Sequence, residues 1–271
     1  MAIRYAFFTS IRTTVSALIL TLILLPSTGF SLPLEFSASY DLKKYGVTLA
    51  KSVYSLKHEN NGIRITQHTE PVGLAAMLRN DELDENSFLS IQNGQLLLTE
   101  FSYRQTSDDE KNRDIQIKID WIQSSEKLLG KVNGTAYGEE LDLKIDEPVW
   151  DTSSYMIPLM TNTSENTPLQ KYTMMVKGRF QTYSFITHGV DEIEVNGNIM
   201  QTIKVERDDS SNKHPIYLWL APSLNNLPVK IEKWEDGKRQ LTMSLNNAQF
   251  LSDKTMNFKK AIDNTEEFDD L

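Results

Sequence analysis

The sequence predicts an all-β, mainly antiparallel protein in which ten or more strands form a curled sheet, a half-barrel or a barrel, with one or two short helices. The first observation is that apolar and polar residues alternate with a period of two, as in half-buried strands. The clearest runs are Ile115–Trp121, Leu141–Ile145, Val229–Glu232 and Leu241–Leu245. So many strands seldom stay flat, and a sandwich is the remaining alternative.

The second observation is that turn dipeptides separate these runs. Asn-Gly and Asp-Gly favour tight hairpins because glycine tolerates positive φ. They occur at Asn61-Gly62, Asn93-Gly94, Asn196-Gly197 and Asp236-Gly237. Their spacing predicts antiparallel meanders along most of the chain.

The N-terminal segment has the three parts of a secretory signal peptide. Arg4 and Arg12 supply the basic start, Val15–Leu25 is an uncharged apolar run, and small residues lead up to Ser31. We expect residues 1–31 to be removed after Ser31, and the protein to be periplasmic or secreted.

An uncleaved membrane anchor is the alternative for this segment. Thr13–Leu32 is long enough to cross a hydrocarbon core of roughly 30 Å. However, Pro26 and Gly29 interrupt it, and its apolar core has the length of a signal peptide. No later segment approaches the length of an apolar transmembrane helix, so we expect no membrane span after signal removal.

Charge and cysteine content exclude several classes of function. Without residues 1–31 the chain has 26 basic and 37 acidic side chains, a net charge of −11. This balance argues against nucleic acid, and against adhesion to anionic lipid by electrostatics alone. The absence of cysteine excludes disulfides, thiol chemistry and lipid attachment at a cysteine.

The remaining chain is predicted to form one β-rich domain, residues 32–253, followed by a tail. Asp151–Ser154 offers helix N-cap residues, and Pro158 is expected to limit the length of that helix. Gly73–Arg79 is predicted to be a helical turn or a buried strand. Residues 254–271 are acidic and poor in apolar groups, so we expect disorder there.

A C-terminal motif carries a family resemblance. The motif consists of Trp219–Leu224, Leu227-Pro228-Val229, Ile231-Glu232 and Asp236-Gly237. Matching positions upstream are Tyr40, Gly46, Gly73-Leu74, Ser87-Phe88, Asp120-Trp121, Gly197, Thr202, Val205 and Arg207. Together they resemble the bacterial exported family catalogued as domain of unknown function 3108, over about residues 36–245. His214-Pro215-Ile216 and the acidic tail depart from the pattern. The resemblance implies a β-rich envelope protein of Gram-negative bacteria and no particular activity.

The residues of this motif indicate a structural role by themselves. Trp219 and Tyr217 are expected on one face of a strand, with Leu218 and Leu220 on the other. Pro222 would end that strand because proline lacks an amide donor. We therefore expect the motif to hold the fold together.

No arrangement of residues specifies a reaction, so we predict no catalytic residue, no metal site and no cofactor. The histidines lack metal-ligand spacing, and there is no Gly-x-Ser-x-Gly turn to expose a nucleophile. They occur singly, at His58, His68, His188 and His214. Ser153 and Ser154 beside Asp151 are interpreted as helix-capping residues. Gly130, Gly134 and Gly138 do not form a phosphate-binding loop.

Carboxylates leave two alternatives open. Glu192 and Glu194 share a strand face, which could serve an acid–base pair or a weak calcium site. A hydrolase of envelope polymers would need two acids about 5–10 Å apart in one cleft, including Asp120 or Glu192. Asp108–Glu110 is interpreted as a solvated loop.

The leading hypothesis is a non-enzymatic exported envelope protein that binds an apolar ligand, such as a lipid or acyl chain, in its curled sheet. It depends on aromatic residues that form the core or line a concave face. These are Tyr103, Trp121, Trp150, Tyr183, Phe185, Trp219 and Trp234. The main alternative is a structural or assembly protein that recruits an envelope partner through a strand edge or the acidic tail. The hydrolase ranks third, and the oligomeric state is not specified.

Overall fold

The computed structural model describes residues 32–78, 81–106, 113–123, 127–208 and 214–251. The predicted signal peptide and acidic tail lie outside these residues, so they stay predictions. Within them, no helix is long and apolar enough to cross a membrane.

The described chain forms one sheet of fifteen strands, as the period-two pattern predicted in outline. The strands are β1 (Phe36–Lys44), β2 (Val47–Glu59), β3 (Gly62–Pro71), β4 (Leu83–Gln92), β5 (Gln95–Gln105), β6 (Ile115–Gln123), β7 (Leu128–Ala136), β8 (Glu139–Ile145), β9 (Val149–Asp151), β10 (Leu169–Val176), β11 (Arg179–Val195), β12 (Asn198–Asp208), β13 (Ile216–Ala221), β14 (Leu227–Glu235) and β15 (Lys238–Phe250). Two α-helices are described, α1 (Leu74–Leu78) and α2 (Met156–Asn162), with a short 3₁₀ turn at Pro222–Leu224.

The sheet is a long meander that folds back on its own start. Strands β1 to β8 pair in sequence, β10 to β15 pair in sequence, and β15 pairs with β1. Only β9 runs parallel to its neighbour, β10. The sheet therefore has edges at β8 and β9 and is curled but not closed.

A hairpin turn lies at each predicted site, and positive φ angles occur at Asn93-Gly94, Asn196-Gly197 and Asp236-Gly237. At the first site the turn is Asn60-Asn61, and Gly62 belongs to β3 without a positive φ, so the predicted role of this glycine is wrong. Asn93 and Gly94 have φ angles of 48° and 77°, and Asp236 and Gly237 have 48° and 71°. Two consecutive positive φ angles match the right-handed twist of the flanking strands, which is why these dipeptides were informative.

Antiparallel pairing gives the sheet two ends. The lower end carries α1 and four hairpin turns, at Tyr45-Gly46, Tyr137-Gly138, Lys177-Gly178 and Asp236-Gly237. The upper end carries the turns at Asn60-Asn61, Asn93-Gly94 and Asn196-Gly197.

Helix α2 fills the concave side of the sheet. Ile157 and Met160 pack into the core cluster that includes Phe36, Leu56 and other residues of β1 to β7. Leu159 and the adjacent Tyr155 pack into a second cluster with residues of β10 to β13. The helix thus connects the two halves of the sheet through its apolar side chains.

The predicted limit at Pro158 is wrong, because α2 continues to Asn162. Pro158 lies in the first turn of the helix, where the amide that proline lacks has no intrahelical partner. At the other end of α2, the Asn226 side chain donates to the carbonyls of Met160 and Thr163, at 2.9 and 3.0 Å.

The Trp219 motif is built as predicted. Leu218 and Leu220 are fully buried with residues of α2, whereas Trp219 points to the opposite face. Its indole nitrogen donates to Asp191 Oδ2 at 2.8 Å, and Lys230 Nζ lies 4.4 Å from the ring centroid. Pro222 ends β13. These contacts of Trp219 connect β13 to β11 and β14.

Candidate functional site

Two groups of polar residues stand out from the apolar interior. The first is a pair of buried carboxyl groups, Glu85 on β4 and Asp151 at the end of β9. Ser153 connects them, because its amide donates to Asp151 Oδ1 at 2.8 Å and its hydroxyl donates to Glu85 Oε2. Thr152 donates to Glu85 Oε1 at 2.8 Å.

Asp151 caps the turn that leads into α2. Its Oδ1 also accepts the amide of Ser154 at 2.9 Å, and its Oδ2 accepts the Ser154 hydroxyl at 2.7 Å. The predicted capping of α2 by Asp151–Ser154 is wrong, because the N-cap residue is Tyr155 and no side chain caps it. The Asp151 carboxylate instead accepts amides of the preceding turn, and the Ser154 hydroxyl accepts the Asp151 amide at 2.9 Å. The Ser153 hydroxyl donates a hydrogen bond to Glu85, and the Ser154 hydroxyl donates one to Asp151.

Burial governs the ionisation of both acids. It raises the pKa of Glu85 to about 7, with the negative charge of Asp151 adding to the increase and the hydroxyls of Ser153 and Thr152 opposing it. Burial also raises the pKa of Asp151, against the donors of Ser154 and Ser153. Glu85 is only 7% exposed and Asp151 is fully buried, so neither acid faces a cleft that could admit a polymer.

The acids named from the sequence do not assemble a site. Asp120 lies on β6 and Glu192 on β11, strands that do not pair, and both side chains are exposed. Glu192 and Glu194 share a face of β11 and are exposed. Asp108–Glu110 lies outside the described residues. Among the described residues, no three potential metal ligands are grouped.

The histidines are also dispersed and exposed. His68 pairs with Asp84 at 2.6 Å, His188 with Glu206 at 2.7 Å and His214 with Glu235 at 3.9 Å. His58 Nε2 contacts the carbonyl of Pro33 at 2.8 Å. A hydrogen bond to Asp84 raises the pKa of His68.

The second polar group lines a cavity of about 640 Å³ at the lower end. We call it the cationic mouth. Its lining residues are Tyr103, Gln105, Arg113, Tyr137, Val176, Lys177, Arg179 and Gln181. Three of these side chains are cationic and none is a carboxylate.

Two hairpins that are distant in sequence meet to form this mouth. Lys177 and Gly178 occupy the β10–β11 turn with φ angles of 50° and 74°. A Cβ atom on Gly178 would lie 2.7 Å from the Cβ of Ala136, at the end of β7. Glycine is therefore required at this turn, both for its φ and for the close approach of the two regions.

The phenols of the mouth are neutral donors near neutral pH. Burial raises the pKa of Tyr103 to about 12, and the Arg113 charge opposes this increase. Burial also raises the pKa of Tyr137. The net charge of the lining is thus set by its arginines and lysine.

A further cation lies close to the mouth. Tyr183 donates to Gln181 Oε1 at 2.6 Å, and the Arg207 guanidinium lies 4.6 Å from the Tyr183 ring centroid. The buried Nε of Arg207 has no hydrogen-bond partner in the described part of the chain. A buried donor without a partner is unfavourable for stability.

A cavity of about 480 Å³ next to β3–β7 provides a contrast. Its charged lining residues have partners: Arg64 pairs with Glu59 at 2.7 Å, and Lys118 pairs with Glu100 at 3.8 Å. This cavity therefore has charged lining residues of both signs.

The sequence named Asp151, Ser153 and Ser154 as capping residues but did not pair them with Glu85, and the mouth was missed. It named Tyr103, but only as a core or concave-face aromatic, and it did not name Glu85. Lys177-Gly178-Arg179 could have been identified as a basic hairpin turn, yet nothing local brings Arg113 or Tyr137 to it.

The fold places this chain among open, barrel-like β proteins. A crystal structure of a beta-barrel-like protein of domain of unknown function DUF1849 from Brucella abortus resembles it with a TM-score of 0.55. The two share 12% sequence identity, over 82% of this chain and all of the other. At this identity the likeness shows the fold alone.

The family itself is clear. The model described as protein of unknown function (DUF3108) matches residues 35–244, and the chain belongs to this family. The resemblance noted in the sequence is thereby confirmed. No curated protein matches the chain.

Proposed function

We propose that this protein is a non-enzymatic, exported envelope protein that binds an anionic amphiphile at the cationic mouth. The ligand class is a molecule with an acidic group and an acyl or comparable apolar part. The observation that carries this proposal is the lining of the mouth, in which the described residues include Arg113, Lys177 and Arg179 and no carboxylate. A lining with this excess of positive charge is unusual in a chain with 37 acidic and 28 basic residues.

The dimensions and chemistry of the mouth support a small ligand. Ligand pockets commonly measure about 300–1,000 Å³, combine apolar walls with a few polar groups, and occur at the mouths of β-barrels. Here Tyr103, Tyr137 and Val176 supply apolar surface beside the cations. An acyl carboxylate or a phosphate ester would match both features.

The location of the proposed ligand differs from the sequence-based hypothesis. A lipid enclosed by the curled sheet would occupy the concave side, where Ile157 and Leu159 of α2 are fully packed. The proposed ligand is still a molecule with an acyl chain, but we propose that it binds at the lower end. Export remains part of the proposal and is supported by the sequence of residues 1–31.

The alternatives have weaker support. The edge strand β8 could recruit a partner strand, but Glu139, Glu140, Asp142 and Lys144 line that edge with charge, a common protection against such pairing. For a hydrolase, the candidate carboxyl pair is Glu85 and Asp151, which is sealed beneath the segment before α2.

Titration with a fluorescent fatty acid tests the proposal. The protein would be residues 32–271, which contain every described strand and helix. Dansylaminoundecanoic acid should bind, and Lys177→Gln/Arg179→Gln should weaken binding about tenfold because two charge-assisted contacts are lost. The corresponding fatty alcohol should bind both proteins equally.

The matched control is Lys51→Gln/Lys57→Gln, which removes the same charge from exposed positions of β2. Its affinity should stay within about twofold of the wild type, because distant exposed charges are screened by salt. Equal losses in both double variants, or no binding by the wild type, would contradict a specific mouth.

A further inference from the structure

An exposed apolar surface lies at the lower end. We call it the lower apolar patch. It comprises residues of the β1–β2 turn, the start of β2 and α1, with exposures of 82% for Tyr45, 58% for Val47, 75% for Leu74, 82% for Met77 and 83% for Leu78. Helix α1 has no buried residue. Its apolar side chains therefore contribute nothing to the core, and such surfaces mark interaction sites.

The parts of the patch are held together by the sheet. Ala50 is opposite Pro71, so the start of β2 extends past the end of β3 and lies beside the connection that contains α1. The amide of Val72 donates to the carbonyl of Leu49 at 2.9 Å and fixes this connection against β2. The exposed apolar side chains therefore lie on a segment that is hydrogen-bonded to β2.

Basic residues lie next to these apolar side chains. Lys43 and Lys44 end β1, and Lys44 Nζ lies 5.6 Å from the centroid of the Tyr45 ring. A cavity of about 310 Å³ beside Tyr45 is lined by Lys43 and by Arg239 of the β14–β15 hairpin. Aliphatic groups with adjacent cations match the two layers of an anionic lipid surface.

We propose that the lower apolar patch docks on a lipid bilayer. Leu74, Met77 and Leu78 enter the outer acyl region, Tyr45 lies at the headgroup level, and Lys43 and Lys44 contact anionic headgroups. The proposal concerns residues that are separate from the cationic mouth and does not depend on a ligand there.

The chemistry of α1 favours lipid over a protein partner. The segment Gly73–Leu78 contains no side-chain hydrogen-bond donor, and its one side-chain acceptor is the weak thioether of Met77. Protein interfaces carry about one hydrogen bond per 100–200 Å², and their energetic centres favour Trp, Tyr and Arg over Leu. A bilayer requires neither.

Flotation with lipid vesicles tests this proposal. Residues 32–271 would be mixed with vesicles of phosphatidylethanolamine and phosphatidylglycerol, so that the apolar segment before residue 32 cannot contribute. The wild type should float with the vesicles. Met77→Asp/Leu78→Asp should lower the partition coefficient about a hundredfold, because two apolar insertions become charged.

Ile199→Asp is the matched control. Ile199 is 78% exposed, at the start of β12 on the upper end, so this variant places a charge on an equally exposed apolar residue away from the patch. It should float like the wild type. Equal loss in both variants, or no flotation of the wild type, would overturn the proposal.

Sedimentation without vesicles distinguishes a second copy of the chain from lipid. The wild type and Met77→Asp/Leu78→Asp should have the same mass in solution. A wild-type dimer that the double variant abolishes would overturn lipid docking and assign the patch to self-association. Circular dichroism should be unchanged in both variants because the substituted side chains are exposed.

Discussion

The buried carboxyl pair and the cationic mouth are opposite solutions to placing charge in the same sheet. Glu85 and Asp151 are enclosed, and their oxygens accept hydrogen bonds from Thr152, Ser153 and Ser154. The cations of the mouth line an open cavity whose lining, in the part of the chain that the structure describes, includes no carboxylate. The two carboxyl groups accept hydrogen bonds from donors of the chain itself, whereas the mouth has room for an anionic ligand.

This difference separates a structural role from a binding role. Buried polar groups that are hydrogen-bonded within the chain fix a unique arrangement, whereas a cavity lined by charges of one sign favours a ligand of the opposite sign. We therefore expect substitutions at the carboxyl pair to change folding, and substitutions at the mouth to change binding.

The largest effect is expected for Asp151→Ala. This change leaves the amides of Ser153 and Ser154 buried without an acceptor and removes the cap of the turn before α2. The free energy of unfolding should fall by about 3–5 kcal/mol, measured by urea denaturation.

Asp142→Ala is the control for this loss. Asp142 is exposed on β8 and lies 3.7 Å from Lys131, so its removal should cost less than about 0.5 kcal/mol. If Asp151→Ala cost no more than this control, the capping role would be wrong.

The second effect is a change in pH dependence for Glu85→Gln. The pKa of Glu85 is raised from 4.5 to about 7 by burial, so the folded chain binds more protons than the unfolded chain between these values. The contribution of Glu85 to stability is therefore present below pH 4.5 and lost as pH rises through about 7.

Glutamine keeps the shape and hydrogen-bonding capacity of the protonated acid without a charge. The variant should match the wild type near about pH 4 and exceed its stability by roughly 2–3 kcal/mol near about pH 8. The measurement is urea denaturation across this range. A difference between the two proteins that does not vary with pH would contradict the raised pKa of Glu85.

The smallest effect on folding is expected at the mouth. Lys177→Gln/Arg179→Gln should change the free energy of unfolding by less than about 0.5 kcal/mol, although it weakens fatty-acid binding. A large loss of stability would show that these cations hold the two hairpins together, and it would remove the contrast with the carboxyl pair.

What the sequence predicted well is local. The Asn93-Gly94 and Asp236-Gly237 hairpins depend on two residues each, and the two faces of β13 depend on alternation within one strand. The fold class followed because such signals recur along the chain. The ends of α2 were harder, since the position of Pro158 within its first turn determines whether the helix continues.

The features that the sequence did not predict depend on how the sheet curls. Glu85 and Ser87 occupy inward positions of β4 where the pattern favours apolar residues, so alternation alone marks them as outward-facing. Arg113 and Arg179 share a cavity because the lower ends of distant hairpins converge. Neither feature leaves a signal in the spacing of residues.

The most direct test of the ligand proposal is native mass spectrometry of residues 32–271, purified from bacterial cells without detergent. Spectra before and after solvent extraction would be compared, with Lys177→Gln/Arg179→Gln prepared in parallel. We expect one bound acidic amphiphile per wild-type chain, which is lost on extraction and much reduced in the variant. A wild-type chain that carries no such mass, or equal loading of both proteins, would contradict it.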